Sequence, residues 1–313
     1  MAAQTFVNGQ VWTDRDGNPI HAHGGFILYH GGYYYWYGED RRENHYVSCY
    51  RSKDLANWEF RRHIISTDTA TAKTRVRTKI QLINDDGSKV NLERPKVLYN
   101  EKSKAFVLWA HFENGKNYLE AAIGLATACE PDGEFVYHGH FNPYGYMSRD
   151  CTLFKDDDGT AYFISAARDN ADLHVYRLSD DYLNTDALVH KLWQGEYREA
   201  PAVAKHQGKY YMLSSFCTGW APNQGKYAVA DSIEGRWSAL EEIGDETTYR
   251  SQPTFLLELN GRLLYWGDRW KAHYKTYDES GYIVYPLTLA GGKLAMKEAK
   301  KVTFGGGAVS FED

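Results

Sequence analysis

Five polar residues recur at the head of similar segments: His23, Glu93, Asp150, Glu199 and Gln252. Each leads a short apolar run, a turn and an aromatic-rich apolar run, as in HGGFILYHGGYYYWYG from His23 and DCTLFKDDDGTAYFISAA from Asp150. In four copies a glycine (Gly32, Gly159, Gly208, Gly261) stands nine residues after the leader; in the second, Lys104 takes that place eleven residues on. Three of the five leaders are acidic. Carboxylates gathered in one confined place cannot all keep ordinary pKa values, because mutual repulsion raises at least one of them. Such a group supplies the protonated acid that glycosidic-bond hydrolysis needs, opposite a group that activates water. Polar residues also begin many strands simply to face water, so the argument rests on the set, not on one leader.

The elements that must position these residues read as strands almost throughout. Runs such as YYYWYG, AFVLWAHF and KYYMLSS are short, β-branched or aromatic, and bounded by turn residues. Further strand candidates follow each pair, giving about four per unit, the pattern of a propeller blade. A weak helical periodicity near Asn184–Leu192 is the exception. The expectation is an all-β chain forming a five-bladed β-propeller, one catalytic domain over residues 1–313, with blades starting near 23, 93, 150, 199 and 252. The N-terminal TFVNGQVW is expected to pair into the last blade and close the ring. An insertion, roughly Thr67–Val90 with a basic first half (TAKTRVRTK), is expected on a face bordering the site. No appended carbohydrate-binding module is expected.

Composition narrows the partner. The balance of 36 basic and 41 acidic residues gives 36 − 41 = −5, without the basic footprint of a nucleic-acid binder. No run of 18 apolar residues suggests a membrane span. Aromatics make up 15% of the chain, and their flat faces suit both sheet packing and sugars. A neutral saccharide is the expected ligand, and a monomer the expected state. Cys49, Cys129, Cys151 and Cys217 stand far apart without a CxxC pair, which reads as free thiols. DDDG at Asp156–Gly159 reads as a turn, not a calcium loop. His21 and His23 share a strand face, yet no third metal ligand is evident. No metal is expected in the site, and no cofactor is required; a structural ion on the axis, such as calcium, stays open.

The leaders and their surroundings resemble glycoside hydrolase family 43, inverting enzymes on a five-bladed propeller. DDDGTAYF after Asp150 and REAPAV around Glu199 are similar to that family's inner-strand motifs. In the family the first blade normally supplies an aspartate base; here the place holds AHGG (Ala22–Gly25). That departure is similar to the exo-β-1,3-galactanase subgroup, as are AHGGFILYHGGYYYWYGE, LERPKVLYN, CTGWAPNQ and SQPT. The resemblance implies release of terminal galactose from β-1,3-galactan, such as the arabinogalactan backbone. It implies Glu199 as general acid, Asp150 as the group that tunes it, and Gln252 as substitute base through an imidic-acid form. An amide is a very poor base, so Glu93, a galactose-binding position, stands as a rival. Glu39, Tyr118, Asn170, Cys217, Thr218, Trp220 and His23 are the implied sugar-contacting residues. The opening MAAQTFVNGQ shows no basic or apolar leader region, whereas the resemblance implies an extracellular or periplasmic enzyme. An α-L-arabinofuranosidase or β-xylosidase, and a non-catalytic galactan-binding propeller, are the alternatives.

Overall fold

A computed structural model describes residues 3–72, 79–271 and 274–313. All its paired strands are antiparallel, apart from one isolated bridge between Thr71 and Tyr137. The first four-stranded blade comprises His23–His30, Tyr33–Glu39, His45–Ser52 and Glu59–Ser66. The second comprises Asn91–Asn100, Ala105–Glu113, Ala122–Ala128 and Val136–Phe141. The third runs through Cys151–Lys155, Ala161–Ala167, Asp172–Leu178 and Thr185–Leu192. The fourth has Arg198–His206, Lys209–Phe216, Gly225–Ala230 and Glu241–Ile243. The fifth has Gln252–Leu259, Arg262–Arg269, Gly281–Ala290 and Lys293–Met296.

The propeller has six blades, which corrects the five expected from the repeats. The sixth has three strands, Gln4–Val7, Lys301–Gly305 and Ala308–Glu312, with Lys301–Gly305 in the middle. It is assembled from both ends of the chain, so no contiguous repeat with a polar leader announces it. TFVNGQVW therefore pairs not into the fifth blade but with Lys301–Phe304 of the sixth. The Asn184–Leu192 periodicity is also corrected: Thr185–Leu192 is the outer strand of the third blade. Its two bulges against Asp172–Leu178 shift which side chains face in, which blurs the period of two that marks a strand.

The core lies in slabs between blades. A strand packed on both faces loses polar alternation, and Ala105–Glu113 is buried at every position after the first. One apolar slab joins the first and second blades through Tyr37, Val47, Leu108 and Tyr137. Another joins the first, fifth and sixth through Trp36, Trp266, Val302 and Phe304. Trp12 stands at the centre of this last slab, stacked on Phe6 at 4.4 Å and edge-on to Trp36 and Trp266. The described parts of the Thr67–Val90 insertion lie against the first and second blades, where Tyr46 Oη donates to the Leu82 carbonyl and Ala72 N–H to the Tyr137 carbonyl. Most of its basic stretch, residues 73–78, falls outside the described residues. No described helix is long and apolar enough to cross a membrane.

The sixth blade is bound into this core by Phe304, which is fully buried and stacks on Trp266 at 6.0 Å. Phe304→Ala is expected to destabilise the protein by about 3–5 kcal/mol in chemical denaturation. A loss under about 1 kcal/mol would mean that this blade is not integral to the fold.

Candidate functional site

The innermost strands bring four of the five leaders, Glu93, Asp150, Glu199 and Gln252, to a common centre, and a local device recurs in most of these strands. A register shift interrupts the inner strand pair of four blades, between His23 and Phe26, Glu93 and Lys96, Glu199 and Ala202, and Pro253 and Phe255. Bulges of this kind bend a strand and redirect a side chain. In three of these strands the residue after the leader has a left-handed backbone: Gly24 (φ 58°), Arg94 (54°) and Ala200 (51°). Such values are strained for arginine and alanine, and strain of this type concentrates at functional sites. At Gly24 the requirement is also spatial, since a Cβ would stand 2.5 Å from Glu39 Oε1.

A cavity of about 290 Å³ opens at this centre. Glu39, Glu93, Asp150, Glu199 and Gln252 line it, with Arg41, Arg94, His111, Tyr118, Asn170, Cys217, Trp220 and Trp270. The volume is at the small end for small-molecule sites.

Glu199 is almost buried, and its carboxyl is pushed up to about 8, first by burial and then by the negative charge of Asp150. It accepts from Gln252 Nε2 at 3.0 Å and from Asn170 Nδ2 at 3.3 Å, and the Cys217 thiol also contacts it. Asn170 is presented by three consecutive left-handed residues, Arg168 to Asn170. Asp150 is paired with Arg94 Nη2 at 3.1 Å. Below about pH 8 Glu199 is thus a neutral acid beside an aspartate.

Glu93 has the opposite setting. Burial would raise its carboxyl, but Arg41 at 3.1 Å and His111 at 3.4 Å outweigh burial and hold it well below the usual range. Tyr118 Oη donates to it at 2.9 Å. Burial would lower His111, yet Glu113 and Glu93 on either side raise it to about 9. Glu39 accepts from Arg41 at 2.8 Å, from Tyr277 Oη at 2.9 Å and from the Arg94 backbone N–H at 3.0 Å.

Gln252 is engaged at every polar position of its amide. Its Oε1 accepts from Arg94 Nη2 at 2.5 Å and from Trp270 Nε1 at 2.7 Å. Its Nε2 donates to Glu199 and to Ser215 Oγ, both at 3.0 Å. Trp220 faces Trp270 edge-on at 5.4 Å, and these two rings with Tyr277 form an aromatic wall.

Two residues expected at the site stand elsewhere. His23 is fully buried outside the cavity lining, with Nδ1 3.0 Å from Asp268 and its ring stacked on Tyr282. Thr218 is spent on its own loop, donating to the Ala221 carbonyl and accepting from Asn223. None of the described residues of the Thr67–Val90 insertion lines the cavity, although Lys89 Nζ donates to the carbonyl of Arg41, which does. DDDG is a turn, with Gly159 N–H donating to the Asp156 carbonyl.

Sequence reasoning missed Arg41, Arg94, His111 and Trp270. The signal for Arg94 was present: LERPKV puts two cations beside Glu93 in an inner strand that is almost wholly buried. The second, Lys96, is fully buried, donates to the carbonyls of Gly24 and Arg94, and is pulled down by burial to about 8.

Glu93, His111 and Asp150 bring potential metal-ligand atoms within 4.8 Å of one another. The chemistry of the set fits a metal poorly, because Arg41 and Arg94 already neutralise the carboxylates and His111 holds a proton. His21 does not join His23 in a ligand set; it turns toward Asp278 at 3.8 Å, while His23 faces Asp268.

A six-bladed β-propeller with a protonated glutamate and an ionised one in a single cavity defines a glycosidase-type centre. Residues 17–251 match the profile of Glycosyl hydrolases family 43, and the chain belongs to that family: it is a glycoside hydrolase. It is similar to an exo-β-1,3-galactanase from Clostridium thermocellum, at 42% identity and a TM-score of 0.89, covering 99% of this chain and 68% of that one. It is also similar to an exo-β-1,3-galactanase from Phanerochaete chrysosporium solved with galactose, at 36% identity and a TM-score of 0.88, covering 99% and 71%. A form of that protein solved with β-1,3-galactotriose gives 36% and 0.87 over the same shares. A search of curated proteins gave no match.

The raised acid makes a stability prediction. A carboxyl lifted from 4.5 to about 8 costs the fold nothing below its unfolded pKa, and its stabilising proton is lost as pH rises through 8. Glu199→Gln is therefore expected to match the native protein near pH 4 and to exceed it above pH 8, by up to a few kcal/mol. Denaturation at both pH values checks this; equal differences at the two would refute the shift.

Proposed function

We propose that this protein is an inverting exo-β-1,3-galactanase that releases terminal galactose from β-1,3-galactan, such as the arabinogalactan backbone. The observation that carries the reading is the opposed setting of two carboxyl groups in one small cavity, Glu199 pushed up by burial and by Asp150, and Glu93 held down by Arg41 and His111. The similarity to exo-β-1,3-galactanases supplies the substrate class.

Glu199 gives its proton to the glycosidic oxygen as the bond to the anomeric carbon breaks. Water attacks the opposite face of that carbon, inverting it, and its proton passes to a base. Burial beside Asp150 keeps Glu199 protonated and uncharged at neutral pH, and Asp150 stabilises the positive charge that develops on the sugar. The Gln252 amide supports a positioning role better than a basic one. Its oxygen already accepts from Arg94 and Trp270, and its nitrogen is 3.0 Å from Glu199, too close for a water between them. Separations of roughly 6.5–9.5 Å are usual for an inverting pair. By elimination this leaves Glu93 as proton acceptor, with Arg41 and Tyr118 fixing its orientation while the Arg41 charge lowers its basicity. The buried Lys96 ammonium lies against the carbonyls of Gly24 and Arg94, and the reading calls for no axial metal ion.

Proton NMR of β-1,3-galactobiose hydrolysis is expected to show α-galactose as the first product, with aryl arabinofuranosides and xylosides left nearly intact. Faster turnover of those aryl glycosides would favour the arabinofuranosidase or xylosidase alternative, and tight galactan binding without release would favour a binding protein. Glu199→Gln is expected to lower kcat by roughly 10²–10⁴ or more with unchanged circular dichroism. The rate of the native protein should fall as pH rises through about 8, where Glu199 loses its proton. Glu93→Gln is expected to lower kcat far more than Gln252→Ala; the reverse order would return the base to Gln252.

A further inference from the structure

Beside the catalytic cavity a second one opens, of about 270 Å³ against about 290 Å³. Gly219, Trp220, Gln252 and Trp270 line both, so the two are neighbours across a shared wall. We propose that the second cavity is a subsite for an acidic sugar unit, a pyranose bearing a carboxylate, next to the galactose of the catalytic cavity. The subsite rests on the galactanase reading for that neighbour alone.

The lining is cationic in an acidic chain. Arg250, Arg269 and Lys271 all contribute to it, although the chain as a whole carries a net charge of −5. Among the described residues no carboxylate pairs with any of the three. Asp268 is the acid of the described lining, and both its oxygens are taken, Oδ1 by His23 Nδ1 at 3.0 Å and Oδ2 by the Gly24 N–H at 2.7 Å. Cations of one sign gathered around a concavity raise the local concentration of anions.

The neutral polar side chains of the lining are engaged with the protein. Ser215 Oγ accepts from Gln252, Ser251 Oγ donates to the Thr248 carbonyl at 2.6 Å, and Asn223 bonds the Phe216 backbone through both ends of its amide. Arginine and lysine bring donors only. A sugar hydroxyl both gives and takes a proton in hydrogen bonding, whereas a carboxylate only accepts, and its two oxygens match an arginine fork. Trp220 and Trp270 add the apolar walls against which a pyranose ring packs. The cavity is nearly equal in volume to the one that takes a single galactose, which suits it to one monosaccharide unit.

The placement of Arg250 is independent of its charge. Thr248, Tyr249 and Arg250 are three consecutive left-handed residues, with φ of 54°, 52° and 58°. Asp245 Oδ1 accepts from the Thr247 and Tyr249 N–H groups, and Arg269 Nη2 donates to the Tyr249 carbonyl at 2.9 Å, so the turn is held from two sides. The same device, Arg168 to Asn170, presents Asn170 to Glu199 in the third blade. Strain of this kind is kept where a side chain must be offered to a ligand.

The test is titration of methyl β-D-glucuronide into the intact protein saturated with galactose, read by ligand-observed NMR. The glucuronide is expected to bind at least tenfold more tightly than methyl β-D-glucoside, and to weaken as NaCl is raised. The double variant Arg250→Gln, Lys271→Gln, its fold checked by circular dichroism, should weaken glucuronide binding at least tenfold while leaving hydrolysis of β-1,3-galactobiose unchanged. Binding and not turnover is read, so a failure of the galactanase reading leaves the result intact. No glucuronide binding, equal binding of the glucoside, retention by the double variant, or displacement of the glucuronide by galactose overturns the subsite.

Discussion

The Arg94 guanidinium is the interaction on which the site is built. It is nearly inaccessible to water, and a buried charge is tolerated only when fully paired. Asp150 supplies the charge partner, while the Gln252 side chain and the Pro253 carbonyl supply acceptors. Three blades therefore meet on one side chain. Fixing Gln252 through its oxygen turns its nitrogen toward Glu199, and occupying Asp150 leaves Glu199 without a cation of its own. The raised pKa of Glu199 thus comes first from its burial and then from the charge of Asp150, against the lowering pull of Arg94.

The backbone makes this convergence possible. A regular inner strand would alternate its side chains between two packed faces, and neither face opens on the centre. The register shift after the leader breaks the alternation where a polar residue must turn inward. Left-handed conformations at Arg94 and Ala200 cost roughly 1–2 kcal/mol each. The apolar slabs between blades, with their fully buried tryptophans, hold the strands firmly enough to keep that strain in place.

Much of this was legible in the chain. Glu93, Asp150, Glu199 and Gln252 head units that repeat in polarity and length, and all four line the cavity. His23 heads a unit too, yet Asp268 claims it; a leader's direction depends on a partner some 245 residues away, which no local pattern reports. Trp270 and Arg41 lie just beyond strand ends, where no periodicity marks the inward side. The sixth blade escaped because its strands come from opposite ends of the chain. The Thr185–Leu192 strand imitated a helix because its bulges spoil the alternation by which strands are read.

The central claim is that Glu199 carries its proton at neutral pH in the free protein while Glu93 does not. Infrared difference spectroscopy of the native protein against Glu199→Gln measures this directly. The account predicts a protonated carboxyl band at pH 6 that is absent from the variant and disappears in the native protein as pH rises through about 8. A Glu199 already ionised at pH 6 would contradict it.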